Sequence, residues 1–410
     1  MSSVFDTLTE RGFVSQCSNE EGLRKLLDSE RVTFYIGFDP TSRSLQIGNL
    51  VQLILMSHLQ KAGHRPIALV GGGTTRIGDP SGKTEMRKIL PVETIQENAE
   101  RFRAQMKPIL DFSEGKALML DNAEWLAPLN YIEFLRDIGV HFSVNRMLSF
   151  ETYKMRLETG LSFIEFNYQL LQSYDYLVLF RKHGCRLQMG GDDQWGNIVA
   201  GMDLIRRVEG VEAFALTQPL VMRSDGQKMG KSEKGALFLD PEMTAPYDFY
   251  QYWLNIPDGD VETFLLRFTF LPVADIKRMC SVTDERINDA KRTLAAEITA
   301  LVHGQAAAQE AAEASRAAFQ SGDGADLSGV PSLSLPRADL EMGVPVVDLF
   351  VRAGLCATKS DARRLVSQGG AYVSRKNVTD INAVVSADSA EDGVILLRAG
   401  KKRYFRVLLS

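Results

Sequence analysis

Along the first two hundred residues, short apolar runs alternate with stretches whose apolar positions recur at helical spacing. Thr33-Phe34-Tyr35-Ile36-Gly37-Phe38 reads as a buried strand, because aromatic and β-branched residues fill it without polar alternation. Gly48 to Ala62 repeats apolar residues at Leu50, Leu53, Ile54, Met56 and Leu59 and then meets Gly63, a helix stop. Pro66-Ile67-Ala68-Leu69-Val70 is a second buried strand. Strand, helix and strand within about forty residues predict a βαβ unit with parallel pairing and a right-handed crossover. Cys185-Arg186-Leu187-Gln188-Met189 is a further strand; it ends in Gly190-Gly191, and a helix is expected from about Trp195. The body is therefore predicted to be α/β, with ligands at the carboxyl ends of its strands.

From about Pro246 to Ala318 helical spacing takes over, finishing in an alanine-rich run. Ser321-Gly322-Asp323-Gly324 and Val330-Pro331-Ser332-Leu333-Ser334-Leu335-Pro336 then predict a linker without regular structure. Beyond it the pattern gives a helix over Val346–Ala353, a helix over Lys359–Gln368, the turn Gly369-Gly370, and short strands through Leu409. No internal repeat is visible.

Composition narrows the class. The 410 residues suit two or three domains, and 45% hydrophobic with 24% charged residues is ordinary for a globular chain. No apolar run approaches the roughly 18–20 residues that a bilayer demands, and the N-terminus lacks a signal-peptide layout. Cys17, Cys185, Cys280 and Cys356 are scattered, which argues against a zinc site or a disulfide framework and makes the cytoplasm the expected compartment. The net charge of -5 is uneven: from Pro345 onward eleven Lys or Arg face six Asp or Glu. A basic tail on an acidic body suggests a polyanionic partner touched at one end.

Two loops carry candidate phosphate chemistry. Asp39-Pro40-Thr41-Ser42-Arg43-Ser44-Leu45-Gln46-Ile47-Gly48-Asn49-Leu50 joins the first strand to its helix, placing donors at Thr41, Gln46 and Asn49 above a helix N-terminus, where backbone N–H groups favour anions. Gly48 lets a flat group approach the backbone. Asp225-Gly226-Gln227-Lys228-Met229-Gly230-Lys231-Ser232 sets two ammonium groups on one loop, suited to following charge as it develops on a leaving group. By contrast, Gly78-Asp79-Pro80-Ser81-Gly82-Lys83-Thr84 is not a P-loop, because Ile77 stands where that motif needs its first glycine.

Together with Asn167-Tyr168-Gln169-Leu170-Leu171-Gln172-Ser173-Tyr174-Asp175 and Gly190-Gly191-Asp192-Asp193-Gln194-Trp195-Gly196-Asn197, these segments resemble the class I aminoacyl-tRNA synthetases, and among them the bacterial tyrosyl enzymes. The resemblance spans nearly the whole chain. It implies a Rossmann-like parallel-sheet catalytic domain over 1–225 and a signature lysine loop over 226–245. A helical anticodon-side domain over 246–320, a linker over 321–342 and a small α+β (αL) RNA-binding domain over 343–410 would follow. It implies activation of L-tyrosine by ATP, with Mg²⁺ on the phosphates, then transfer to the 3′ end of tRNA(Tyr) by a homodimer.

The same resemblance puts Tyr35 and Asp175 at the tyrosine hydroxyl, and Asp79, Tyr168 and Gln172 at the ammonium, with Gln188 nearby. Tyr168, Gln172 and Asp175 follow i, i+4, i+7, so a helix would show them on one face, whether as a pocket wall or as an ordinary polar face. Gly37, Asp39, Gly48, Gly191, Asp193 and Gln194 fall to ATP, together with Lys231. Lys83 and Arg87 match cations that approach pyrophosphate, and Lys228 and Lys231 match the signature lysines. Arg363, Arg364 and the cluster Lys401-Lys402-Arg403 match the RNA-binding tail. Arg206 and Arg207 are candidates for the acceptor stem. Phe163 matches a subunit-interface position and equally suits a core.

One departure stands out. The family's His-Ile-Gly-His appears here as Gln46-Ile47-Gly48-Asn49, and all five histidines lie elsewhere. The reaction requires stabilisation of charge at phosphorus, not proton abstraction by an imidazole, so neutral amide donors can serve. The alternative is a catalytically impaired homologue acting as an RNA-binding or regulatory protein.

Overall fold

The computed structural model describes residues 3–81, 89–222, 224, 229–232, 235–281, 286–319, 330–391, 393–400 and 403–410, with backbone alone at 152, 231, 232, 235, 318 and 319. Two units divide the chain: Met1–Gly230 with Phe238–Asp240 and Pro257–Ala290, and Lys231–Leu237 with Pro241–Ile256 and Lys291–Ser410.

The first unit is built on a six-stranded sheet of β1 (Gln16–Cys17), β2 (Thr33–Phe38), β3 (Arg65–Val70), β4 (Leu118–Asp121), β5 (Cys185–Gly191) and β6 (Phe214–Gln218), in the order β1-β6-β5-β2-β3-β4. Every neighbouring pair is parallel except β1 with β6. The chain leaves β2 toward β3 and β4, then returns to lay β5 and β6 on β2's other side. The carboxyl ends of β2 and β5 thus flank a topological switch point, where a crevice opens. Their register pairs Tyr35 with Gln188, so these two side chains emerge on the same side of the sheet.

The Ile47–Lys61 helix joins β2 to β3 and buries nearly its whole circumference, from Ile47 to Leu59. The Phe163–His183 helix begins with a capping box in which Ser162 and Glu165 satisfy each other's backbone N–H groups, and ends at Gly184 in the left-handed region (φ 62°). It packs closely on the Trp195–Glu209 helix. A methyl group at Gly201 would lie 3.1 Å from the Tyr176 ring and 3.3 Å from the Ser173 backbone.

The helical segment 246–320 does not stay together as expected, since Pro257–Ala290 belongs to the first unit. Val261, Phe264, Leu265 and Phe268 are fully buried, and two arginines add polar ties. Arg11 donates to the carbonyls of Leu266 and Thr269, both at 2.9 Å, and to that of Leu271. Arg267 donates to Gln218 and Pro219 at 3.1 and 2.8 Å. Periodicity does not announce long-range ties of this kind.

In the second unit, β7 (Lys231–Ser232) pairs with β8 (Gly235–Ala236). The Pro246–Leu254 and Gln305–Phe319 helices share a hydrogen bond from Gln251 Nε2 to Ser315 Oγ at 2.8 Å. A linker over 321–342 is not what the described part shows: β9 (Ser332–Leu335) forms a strand and Arg337–Glu341 a helical turn. Leu333 and Leu335 alternate with exposed serines, a two-residue period, and Pro331 and Pro336 bracket the strand without interrupting it. The strand β10 (Val344–Pro345) pairs with β13 (Val384–Val385). A five-stranded sheet runs β12 (Lys376–Val378), β11 (Ala371–Val373), β14 (Val394–Ala399), β15 (Arg403–Leu409) and β9, the last pair parallel. The Val346–Arg352 and Lys359–Ser367 helices bury Leu349, Phe350, Ala362 and Val366 against Ile395, Leu397 and Val407.

Candidate active site

A cavity of about 320 Å³ opens at the carboxyl ends of β2 and β5. Tyr35, Gly37, Asp39 and Thr41 reach it from β2 and the following loop, and Gln46 and Asn49 from the first turn of the next helix. The Phe163–His183 helix supplies Tyr168, Gln172 and Asp175 from one face, β5 supplies Gln188, and Asp79, Asp193 and Gln194 complete the expected set.

Gly48 and Gly191 do not line the cavity. Gly191 acts one step back, since a Cβ there would sit 2.7 Å from Asp193 Oδ1. Lys83, Arg87 and Lys228 lie outside the described residues, as does the side chain of Lys231.

In the cavity lining Asp175 is 2% exposed. Its Oδ2 accepts from Asn122 Nδ2 at 2.9 Å and its Oδ1 from Trp125 Nε1 at 2.7 Å. Burial pushes its pKa from 3.8 up to about 8, against the pull of these two donors. Burial likewise holds the Tyr35 phenol well above its ordinary value, with Asp175 adding to the effect. Among the described residues, Tyr35 Oη, Gln172 Oε1 and Gln188 Oε1 are all buried without a hydrogen-bond partner. Orphaned polar atoms are costly, so three of them in one cavity mark a place for a polar ligand.

Asp39 accepts from Tyr168 Oη at 3.0 Å and from Thr74 Oγ1 at 2.8 Å. Asp79 accepts from Gln194 Nε2 at 2.8 Å and from the Ser81 N–H at 2.9 Å. The cavity therefore gathers the carboxylates Asp39 and Asp79 together with the buried Tyr35 hydroxyl and Asp175, which suits a zwitterionic ligand with a hydroxyl. At its mouth Asn49 Oδ1 accepts from the Gln46 N–H at 3.0 Å, which points the Asn49 Nδ2 amide, a donor, the other way.

Sequence reasoning missed Asn122, Trp125 and Thr74. Asn122 also accepts from the Gly73 N–H at 2.8 Å and donates to Thr74 at 3.0 Å, so it ties two strand ends to Asp175. The only signal was an Asn and a Trp just beyond a short strand. Phe163 is not a core residue: it is 71% exposed, beside an apolar concavity lined by Leu126, Tyr131, Phe134, Ile164 and Leu171. Arg206, Arg207, Arg363 and Arg364 are exposed on their helices, and Lys401 and Lys402 lie outside the described residues.

The comparisons agree with this geometry. Residues 27–320 match the family described as tRNA synthetases class I (W and Y), and residues 324–407 match the tyrosine–tRNA ligase SYY-like C-terminal domain. The tyrosine–tRNA ligase of Clostridium tetani is 52% identical over 408 residues, covering 100% of this chain and 99% of that protein. That of Caldanaerobacter subterraneus subsp. tengcongensis is 52% identical over 408 residues and 100% of both. The crystal structure of a C-terminally truncated Aspergillus nidulans mitochondrial tyrosyl-tRNA synthetase superposes with a TM-score of 0.70 at 29% identity, covering 78% of this chain and 95% of that one. The chain thus belongs to the class I tRNA synthetases, within their tyrosine–tRNA ligase family.

Proposed function

We propose that the chain joins L-tyrosine to ATP as tyrosyl-adenylate with release of pyrophosphate, then transfers tyrosine to the 3′ end of tRNA(Tyr). The observation that carries this is one cavity lined by the buried Tyr35 and Asp175 together with Asp39 and Asp79. The substrate phenol donates to the Asp175 carboxylate, and the Tyr35 hydroxyl donates to the phenol oxygen. Phenylalanine leaves the Tyr35 hydroxyl without a partner and sets a bare ring edge against the Asp175 carboxyl, the kind of loss by which such sites reject it; tyrosyl-tRNA synthetase is itself the worked example of that discrimination. Asp79, Tyr168 and Gln172 receive the ammonium, with Asp39 holding Tyr168 in place and Gln188 nearby.

The adenylate lies over Gly37, Asp193 and Gln194, with Asp39 and Gly191 beside it and Gly48 giving the purine room at the helix start. Thr41, Gln46 and Asn49 donate to the phosphates as charge grows on them. Lys83, Arg87, Lys228 and Lys231 follow the departing pyrophosphate. Mg²⁺ enters on the phosphates of ATP: it keeps several waters and binds through substrate oxygens with few protein carboxylates. Among the described residues no three His, Cys, Asp or Glu side chains converge as a metal site.

The basic helix face at Arg363 and Arg364 meets tRNA phosphates, Arg403 extending it, with Arg206 and Arg207 at the acceptor stem. Such contacts weaken as salt rises. The exposed apolar concavity around Phe163 is the face that a second copy covers in a homodimer. The four free thiols suit a reducing cytoplasm. No described helix is long and apolar enough to cross a membrane.

A second reading, an impaired homologue that only binds RNA, draws on Gln46 in place of histidine. Tyrosine-dependent ATP–pyrophosphate exchange followed by charging of tRNA(Tyr) separates the two. Absence of exchange with RNA binding intact would favour the second.

A further inference from the structure

A closed circuit of hydrogen bonds stands behind the ammonium side of the cavity. Gln194 Nε2 donates to Asp79 Oδ2 at 2.8 Å, and the Ser81 N–H donates to Asp79 Oδ1 at 2.9 Å. Asn197 Nδ2 closes the loop, reaching Gln194 Oε1 and Ser81 Oγ, each at 3.2 Å. Asn197 is 3% exposed and does not line the cavity. From the next helix, the fully buried Gln169 Nε2 approaches Asn197 Oδ1 at 3.5 Å and donates to the Gly196 carbonyl at 3.2 Å.

Amide chemistry makes this circuit directional. An amide oxygen only accepts and an amide nitrogen only donates. With Asn197 Nδ2 against Gln194 Oε1, the Gln194 amide is compelled to face Asp79 with its nitrogen. Were Asn197 unable to donate, the Gln194 oxygen would lose its anchor and the amide nitrogen could swing from Asp79 toward Asp193, whose Oδ2 lies 3.5 Å away. Buried networks of this type behave as a unit, so a single end group sets the orientation of the rest.

We propose that Asn197 is a positioning residue for amino-acid recognition. It fixes the Gln194 amide and, through it and Ser81, the direction in which Asp79 meets the substrate ammonium. The inference rests on the reading that Asp79 receives that ammonium.

The test compares two probes by calorimetry on the full chain: L-tyrosine, and 3-(4-hydroxyphenyl)propionate, which has the phenol and carboxylate but no ammonium. Asn197→Leu, close in volume but with no donor, should weaken tyrosine about tenfold, the scale of one lost buried hydrogen bond, and leave the desamino probe within about twofold. In a Gln194→Ala background the same substitution should cost markedly less, leaving only what passes through Ser81. Asn197→Ser, which adds no bulk, carries the same expectation with a smaller loss if leucine lowers the melting temperature too far for binding to be read. Equal weakening of both probes, or full additivity with Gln194→Ala, overturns the proposal. Failure of the underlying reading looks different: Asp79→Asn would then weaken both probes alike, whatever Asn197 does.

Discussion

Trp125 donates its indole Nε1–H to Asp175 Oδ1 at 2.7 Å, on a carboxyl group whose other oxygen Asn122 engages at 2.9 Å. Both donors favour the charged form at a site whose burial raises the pKa to about 8. If ionised Asp175 accepts the substrate phenol, tyrosine affinity should rise as pH climbs toward 8. Trp125→Phe removes one donor to the carboxylate while keeping an aromatic ring, so it should move this rise to higher pH and increase KM for tyrosine about tenfold near neutrality. A pH series of pyrophosphate exchange checks it; an unshifted profile would mean that Trp125 only fills space.

Gly71, at the end of β3, is placed where no side chain fits. A Cβ there would lie 1.9 Å from Asp39 Oδ1 and 2.5 Å from Thr74 Oγ1. Gly71→Ala should therefore displace the Asp39 carboxylate and break its bonds to Tyr168 and Thr74. Misplacing a group in such a site by about 1 Å can cost on the order of a hundredfold in rate. Gly37→Ala is the informative contrast, since its Cβ would meet no protein atom within 4 Å. Loss at Gly37 should appear in KM for ATP alone, whereas loss at Gly71 should reach tyrosine through Tyr168 as well as ATP through Asp39. Equal effects on both substrates from both variants would contradict this division.

His58 gives the fold an acid sensitivity. Its ring packs against Phe13 and Phe270, centroids 5.7 and 4.9 Å apart, and its Nε2 is buried without a partner among the described residues. Burial first, then Arg11 and Lys61, lower its pKa from 6.5 to about 3. The unfolded chain thus binds a proton below about pH 6.5 that the native state refuses until about pH 3. The stability associated with neutral His58 is present above that window and is lost as pH falls through it. His58→Phe should flatten the decline in melting temperature between pH 6.5 and 4. A variant as acid-sensitive as the parent would assign the decline to other groups.

Much of this architecture was legible because local pattern and tertiary structure agree. The run Thr33–Phe38 and the helix that starts at Trp195 fall where the residues place them, since strand composition and helical spacing are local signals. Tyr35, Tyr168, Gln172 and Asp175 were legible as residue types in a spaced set, and the structure gathers them around one cavity. What escaped was what depends on distant partners. Asn122 and Trp125 matter because a strand end meets a helix 50 residues or more away. Pro257–Ala290 joins the first unit through buried apolar side chains and two arginines, and Ser332–Leu335 becomes a strand because β15 offers it an edge.

Gln46 decides how far the chain departs from the histidine-bearing members of its family. It caps the Ile47–Lys61 helix with its backbone, is exposed at the cavity mouth, and has Asn49 fixed to its N–H at 3.0 Å. The side-chain amide is thus anchored at its root and reaches the cavity with a donor that needs no protonation. If it supplies that donor to the phosphates, Gln46→Ala should slow exchange by about 10²-fold, or roughly 3 kcal/mol of transition-state stabilisation, while leaving tyrosine binding close to the parent. Gln46→His should retain activity, because an imidazole there restores the family's group. Asn49→Ala should also slow activation more than it weakens tyrosine, with an added loss of helix-start stability from the vacated cap of about 1 kcal/mol. Single-turnover formation of tyrosyl-adenylate separates binding from chemistry in all three. A Gln46→Ala protein as fast as the parent would show that the amide is idle and that catalysis rests on Asn49 and the loop lysines.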